Sequence, residues 1–290
     1  MITRLIPRLD IKGPNLVKGV HLEGLRVLGK PELFARRYYE EGADELLFMD
    51  VVASLYGRNS LLDIVQRTAN EIFIPLAVGG GIRSLDDIKT VLRAGADKVT
   101  INTAAVRRPE FIREAARRFG SSTIVVSIEA IRKPDGRYEA FTDNGREKTG
   151  LDAIEWASKA AELGAGELVV TSIDREGTGR GYDTELVGRI ARAVSVPVIA
   201  CGGAGRVEHV AEVLRVGATA AAIASLLHYN VVRRGDSAPE GSIAPEINLA
   251  HLRTPGFAKV SDTTLADVKT FVQHEGFQSR SLPGAEAHVC

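Results

Sequence analysis

The sequence predicts a closed (β/α)8 barrel, the TIM-barrel architecture, built from two related halves. Three observations carry that expectation. First, the chain repeats itself. Ile74 to Thr103 overlies Val196 to Ser225 without a gap, and Pro75, Gly80, Gly81, Val91, Leu92, Arg93, Gly95, Ala96 and Ile101 all meet identical residues. The same spacing sets Glu45 on Glu167, and a slightly shorter one sets Asp10 on Glu129, as a two-fold half-barrel repeat would. Second, eight short β-branched runs alternate with amphipathic stretches, the pattern of a parallel sheet wrapped in helices. Third, the length of 290 residues suits a single α/β barrel, which needs roughly 250.

In order, the strands fall at Leu5–Leu9, Glu45–Asp50, Ile74–Val78, Lys98–Ile101, Ile124–Ile128, Glu167–Ser172, Val196–Ala200 and Ala220–Ala224. Segments such as LDDIKTVLRAG and VEHVAEVLRVG place apolar residues at i, i+3, i+4 and i+7 and stop at glycine, as a helix packed on a sheet does. A doubly wound open sheet is the alternative, and the strict half-repeat fits closure better. One barrel spans 1–277. The pattern breaks at about 231–263, which is rich in Pro, Gly and Ser and reads as an irregular insert. That connection leaves the eighth strand and so lies on the carboxyl-terminal face, as a lid or as an insert without catalytic duty. Helical spacing returns in TLADVKTFVQHEG, and 278–290 reads as a disordered tail.

Composition narrows the function. Lys+Arg and Asp+Glu both number 37, giving a formal net charge of zero, and no basic stripe stands out, so nucleic acid is not the expected partner. Two cysteines, Cys201 and Cys290, are too few for a disulfide framework and lack CxxC spacing. The six histidines are scattered and form no HExxH pattern, so no metal is expected. The start, MITRLIPRLDIKG, carries charges where a signal peptide has an apolar core, and no apolar run approaches a membrane span. The expectation is a cytoplasmic protein.

Glycine clusters sit where strands end: VGGGIRS at 78–84 and ACGGAGR at 200–206, each followed by a helix. Adjacent glycines let backbone approach an anion, and the helix start beyond them presents free N–H groups. Ala224 and Ser225 end the eighth strand beside Gly202 and Gly203, in the usual phosphate corner of such barrels. The repeat puts Gly80, Gly81, Asn102 and Thr103 in the equivalent place. Two such sites point to a ligand with a phosphate at each end. Between them, at the carboxyl ends of strands 1 and 5, stand Asp10 and Glu129, which can work as general acid and general base on opposite sides of a substrate; either could instead anchor a loop. Lys18, in LVKGV, can reach over the site. Asn102, Thr171 and Cys201 face the interior, and Asp50, Asp174 and Glu176 lie at or just past strand ends. Arg4, Glu45, Lys98 and Glu167 all begin strands, and period-2 alternation turns them inward. That ring is either a salt-bridged floor or a gate for something small entering from below. Lys98 lies at the wrong end of its strand for Schiff-base chemistry.

These residues resemble those of a known family, the cyclase subunits of imidazole glycerol phosphate synthase in histidine biosynthesis. The similarity runs from about Ile2 to His228 and again from Thr264 to Gly276, through EEGADELLFMD, PLAVGGGIRS, RAGADKVTINTAAV, TSIDREGTGRGYD and VIACGGAG. The resemblance implies a lyase/cyclase that converts the bisphosphate PRFAR, with ammonia, to imidazole glycerol phosphate and AICAR without a cofactor. It implies a separate glutaminase subunit docked on the amino-terminal face of the barrel, supplying ammonia through the barrel. By resemblance, Asp10 is the principal acid/base, Glu129 holds the second carboxylate's place, and Lys18 covers the substrate. Asp50, Gly80, Gly81, Asn102, Thr103, Thr171, Asp174, Glu176, Gly202, Gly203, Ala224 and Ser225 bind it, and Arg4, Glu45, Lys98 and Glu167 gate ammonia.

The chain departs from the family's pattern at four positions. Glu129 and Glu176 stand where the family has Asp, Arg8 where it usually has Cys, and Cys201 where it usually has Ser. A buried Arg8 must pair with Asp10, Glu129 or a floor acid, which would favour ionised carboxylates and hinder a general acid. These changes keep a second reading open: a barrel without cyclisation that passes ammonia from a glutaminase to an amidating enzyme of surface-polysaccharide biosynthesis.

Overall fold

The computed structural model describes residues 2–52, 61–235 and 260–280. In chain order the first half contains β1 (Arg4–Lys12), β2 (Asn15–Val20), β3 (Glu23–Gly29), α1 (Pro31–Glu40), β4 (Leu46–Asp50), α2 (Leu62–Ala69), β5 (Leu76–Gly79), α3 (Leu85–Arg93), β6 (Lys98–Ile101), α4 (Thr103–Arg107) and α5 (Glu110–Phe119). The second contains β7 (Ile124–Arg132), β8 (Tyr138–Thr142), β9 (Glu147–Asp152), α6 (Ala153–Glu162), β10 (Glu167–Ser172), α7 (Thr184–Ala193), β11 (Val198–Cys201), α8 (Val207–Arg215), β12 (Ala220–Ile223) and α9 (Ser225–Arg234), and α10 (Leu265–His274) follows.

Eight strands pair in parallel in the order β10, β11, β12, β1, β4, β5, β6, β7, and β7 pairs back onto β10. Arg4 opposite Ala220 joins last strand to first, and Glu167 opposite Val125 closes the other seam. The ring is therefore closed and the open-sheet alternative is excluded. Alternation along each strand divides the apolar residues into two sets. Leu5, Leu9, Phe48, Val126 and Ile128 face outward into the core shared with the helices. Ile6, Leu47, Ala77, Val125, Val169, Ile199, Ala220 and Ala222 fill the barrel itself. Small side chains on β12 offset larger ones on β1 and β4 within that lumen.

Four of the helices start at a side-chain cap. Ser84 and Asp87 form a capping box on α3, and Thr264 and Asp267 do the same on α10. Asp152 and Asp183 accept backbone N–H groups at the starts of α6 and α7. Each cap satisfies orphan donors and contributes about 1 kcal/mol.

The structure differs from the sequence expectation in three places. Antiparallel hairpins, β2–β3 and β8–β9, follow the first and fifth barrel strands, where simple strand-to-helix passage was expected. β1 and β7 run past the rim and fold their excess length back, at equivalent points of the two halves. The segment expected to be irregular from 231 is still helical to Arg234, and the left-handed Gly235 (φ 76°) ends α9. Residues 236–259 of the insert lie outside the described residues; on its far side Val260 and Thr263 are buried, and Ser261 N–H donates to Gly205 O at 2.8 Å. The tail expected to be disordered from 278 begins in place, with Thr3 N–H donating to Gln278 O at 2.7 Å; 281–290 lie outside the described residues.

Candidate active site

The floor of the barrel is a closed ring of charge. Arg4 bridges Glu45 at 2.8 Å and Glu167 at 2.5 Å, and Lys98 bridges the same two acids at 3.0 and 2.8 Å. The signs alternate, so every member has two opposite neighbours. Above the ring, the apolar lumen separates the floor from the mouth.

At the mouth, β1 projects Arg8 and then Asp10 inward. Arg8 is 1% exposed, and its Nε donates to Asp10 Oδ1 at 2.8 Å. Its Nη1 reaches Thr171 Oγ1 and Cys201 Sγ, both at 3.2 Å, and its Nη2 has no hydrogen-bond partner among the described residues. The pairing expected for Arg8 is thus to Asp10. Lys18, on β2, lies 3.6 Å from Asp10 Oδ2 and pairs closely with Glu176. Four buried charges therefore run in line, Arg8, Asp10, Lys18, Glu176, alternating in sign.

This line sets the protonation states. Burial alone would raise the Asp10 pKa, but Arg8, and next Lys18, outweigh it and hold the carboxyl below its ordinary range. Glu129, at the rim end of β7, is pushed up to about 7: burial raises it, and Arg8 and a 2.8 Å hydrogen bond from Gly145 N–H only partly oppose that. Of the partners expected for Arg8, it is Asp10 whose ionised form it favours, while Glu129 stays raised despite it. Two carboxyls with pKa values driven apart are suited to divided labour, one a base and the other an acid. Below them, the Cys201 thiol is raised by burial. His228, fully buried, is lowered to about 3 by burial and by Lys18; its ring meets Tyr38 OH at 2.6 Å and Arg8 O at 2.9 Å, which fixes the backbone beneath Asp10.

The two glycine loops do not make equal pockets. In the first half, Gly80, Gly81, Asn102 and Thr103 line a cavity of about 270 Å³, together with Asp50, Glu129, Asn144, Arg83, Arg107 and Arg108. Gly80 takes φ 102°, and a Cβ there would lie 2.3 Å from Asp50 O, so only glycine fits. In the second half, Gly202, Gly203, Ala224 and Ser225 surround only about 10 Å³, closed by Glu176.

The structure thus brings together Asp10, Glu129, Lys18, Glu176, Thr171 and both glycine loops at one mouth. Asp174 is set apart: its carboxylate accepts the Arg132 N–H at 2.8 Å and lines a separate groove with Lys133 and Arg180. Strand-end position alone could not tell Asp174 from Glu176, because the turn after β10 sends them opposite ways. The sequence reading missed the β8–β9 turn, where Asp143 N–H donates to Thr103 Oγ1 at 3.2 Å and Gly145 grips Glu129; the clue was the TDNG turn after an alternating run. His228 and Tyr38 left no pattern in the sequence. Among the described residues no cluster of His, Cys, Asp or Glu is arranged to hold a metal, and no helix is long and apolar enough to cross a membrane.

Comparison with known proteins places this geometry. The family model described as Histidine biosynthesis protein matches residues 4–233. Among its relatives, a protein of Legionella pneumophila is 61% identical over 205 residues, which cover 71% of this chain and 97% of the relative. One from Pyrobaculum aerophilum is 53% identical over 232 residues, 79% of this chain and 91% of the relative. One from Alkaliphilus metalliredigens is 50% identical over 234 residues, 80% and 93% respectively. All three are named imidazole glycerol phosphate synthase subunit HisF. The chain belongs to the histidine biosynthesis protein family.

Proposed function

We propose that the chain is the cyclase subunit of imidazole glycerol phosphate synthase, converting PRFAR and ammonia to imidazole glycerol phosphate and AICAR. The observation that supports it most is the pairing of Asp10 and Glu129 at equivalent strand ends, one carboxyl held ionised and the other carrying its proton up to about pH 7. Asp10 takes a proton from the attacking nitrogen, and Glu129 delivers one to the departing side of the substrate. The first-half cavity holds one phosphate and Lys18 covers the reacting centre.

In this reading ammonia enters through the Arg4–Glu45–Lys98–Glu167 ring from a glutaminase docked on the amino-terminal face. That face carries two strongly exposed apolar side chains, Phe73 at 82% and Ile2 at 64%, which suit a protein partner better than water. The enzyme acts in the cytoplasm on soluble metabolites.

A second reading rests on Arg8. With Asp10 held by two cations, a barrel that has given up cyclisation and conducts ammonia to another amidating enzyme is also consistent. The purified chain, supplied with PRFAR and ammonium salt, separates the two. Turnover that falls by about 10²–10⁴ in Asp10→Asn supports the cyclase. No turnover, alongside tight glutaminase binding, supports the conduit, and its recovery in Arg8→Cys/Glu129→Asp would assign the loss to those two residues.

A further inference from the structure

Arg8 crosses the barrel mouth with part of its guanidinium unused. From β1 it reaches Thr171 on β10 and Cys201 on β11. β12, which lies between β11 and β1, sets only Ala222 beside Cys201, a side chain small enough to leave the way open. Nε is taken by Asp10 and Nη1 by Thr171 and Cys201, but Nη2 has no acceptor among the described residues. Arg8 is buried, and a buried donor left unpaired is costly, more so on a charged group.

The shape of the guanidinium gives the direction of the unused group. Nη2 shares an edge with Nε, the edge that grips a carboxylate through two parallel bonds when both oxygens are offered. Here only Asp10 Oδ1 is engaged, at 2.8 Å, while Oδ2 lies 3.6 Å from Lys18 Nζ. The N–H groups of Nη2 therefore stand free beside Asp10. Burial would raise the Asp10 carboxyl, but Arg8 and then Lys18 hold it below its ordinary range, so an atom placed against Nη2 meets a donor on one side and an ionised acceptor on the other. A hydroxyl satisfies both, accepting from Nη2 and donating to Asp10. A phosphate there would face Asp10 with like charge, and an ammonium ion would face Arg8 with like charge. The place adjoins open space: Met49 and Glu129 line the first-half cavity of about 270 Å³, and in the strand ladders Met49 lies opposite Asp10 and Glu129 opposite Thr171. A carbon chain running inward from a phosphate at Gly80 and Gly81 arrives between these neighbours, at Arg8.

We propose that Arg8 binds the substrate directly, its Nη2 and the Asp10 carboxylate together taking one hydroxyl of a polyol chain whose phosphate sits in the first-half cavity. The inference rests on the proposed function only for seating a phosphate in that cavity. It makes Arg8 a determinant of specificity. A chain without the hydroxyl leaves Nη2 and Asp10 unmatched, and a site built around such a bond rejects the analogue that lacks it.

Titration calorimetry of the full-length chain with ribulose 5-phosphate and with pentyl phosphate, a monoester of the same chain length without hydroxyls, tests this without any need for turnover. The wild type binds ribulose 5-phosphate at least about tenfold more tightly. Arg8→Met, of similar length but unable to donate, abolishes that preference and leaves the affinity for pentyl phosphate as it was. Arg8→Lys, which keeps a cation beside Asp10 but lacks the fork, serves if the methionine variant does not fold, and it too loses the preference. Equal weakening of both ligands, as a merely structural or electrostatic role would give, would overturn the proposal. So would a preference untouched by either variant, or a wild type that does not bind ribulose 5-phosphate. A chain that shows the Arg8-dependent preference but never turns over PRFAR would refute the cyclase reading and leave this one standing.

Discussion

At the scale of single residues, the site turns on what surrounds two acids. Glu129 has a folded-state pKa of about 7 against an ordinary 4.5. A carboxyl so raised favours the folded state while protonated, so its contribution is complete below the unfolded pKa and is lost as pH rises through about 7. Asp10, lowered, has the opposite sign: its contribution is present above the unfolded pKa and lost as pH falls through the folded one. Glu129→Gln keeps the acceptor for Gly145 N–H and removes the titration. Urea unfolding at acid and alkaline pH should therefore show the variant gaining up to roughly 3 kcal/mol on the wild type as pH rises. The same proton bounds catalysis, and kcat with ammonia should fall as Glu129 ionises above about pH 7, a limb absent from the profile of Glu129→Gln. The candidate carboxylates were legible in the sequence because duplication marked them. The split in their protonation was not, because it comes from Arg8 and from burial, which only the closed barrel brings to bear.

At the scale of elements, the two hairpins bring groups to the mouth from beyond the barrel strands. β2–β3 carries Lys18 into the mouth, and β8–β9 brings Gly145 to Glu129 and Asp143 to Thr103. The strand and helix sequence of the barrel was legible from periodicity alone, since each βα unit must bury one stripe against the sheet. The hairpins were not read, because alternating residues beyond β1 and β7 look like loop once a helix is expected next; LVKGVHLEGLRVLG has no Asn-Gly or Asp-Gly turn to mark its reversal, whereas β8–β9 carries one at Asn144-Gly145. Gly177, packed against Gly19 of β2, offers a test of how firmly the β2–β3 hairpin is held. Its φ is 73° and its Cβ would meet Gly19 O at 2.4 Å, so Gly177→Ala should lose about 1–3 kcal/mol. It should also quicken proteolysis within β2–β3 while leaving far-UV circular dichroism unchanged.

At the scale of the whole molecule, closure is what lets distant segments share a site. β12 against β1 and β7 against β10 set the charged floor below an apolar lumen and the acids above it. The end of the described chain returns to seal the first half. Lys269, fully buried on α10, donates to Gly42 O at 2.7 Å and pairs with Asp44 at 2.8 Å, while Asp44 also accepts the Leu5 N–H. Lys269→Met should destabilise the barrel by about 3 kcal/mol by leaving a buried acid short of its cation, measurable as a lower urea midpoint. At the floor, Arg4→Ala opens a ring that four side chains keep shut. Glutamine-driven turnover should suffer while turnover with excess ammonium salt persists, and equal loss of both would argue against a gate.

Most direct is the fate of the nitrogen. With PRFAR and ¹⁵N-ammonium salt, the wild-type chain should place the label in the imidazole ring of the product, as read by NMR, and Asp10→Asn should place almost none. An unlabelled ring, or no ring formed by the wild type while it still binds its glutaminase, would contradict the assignment of this barrel as a cyclase.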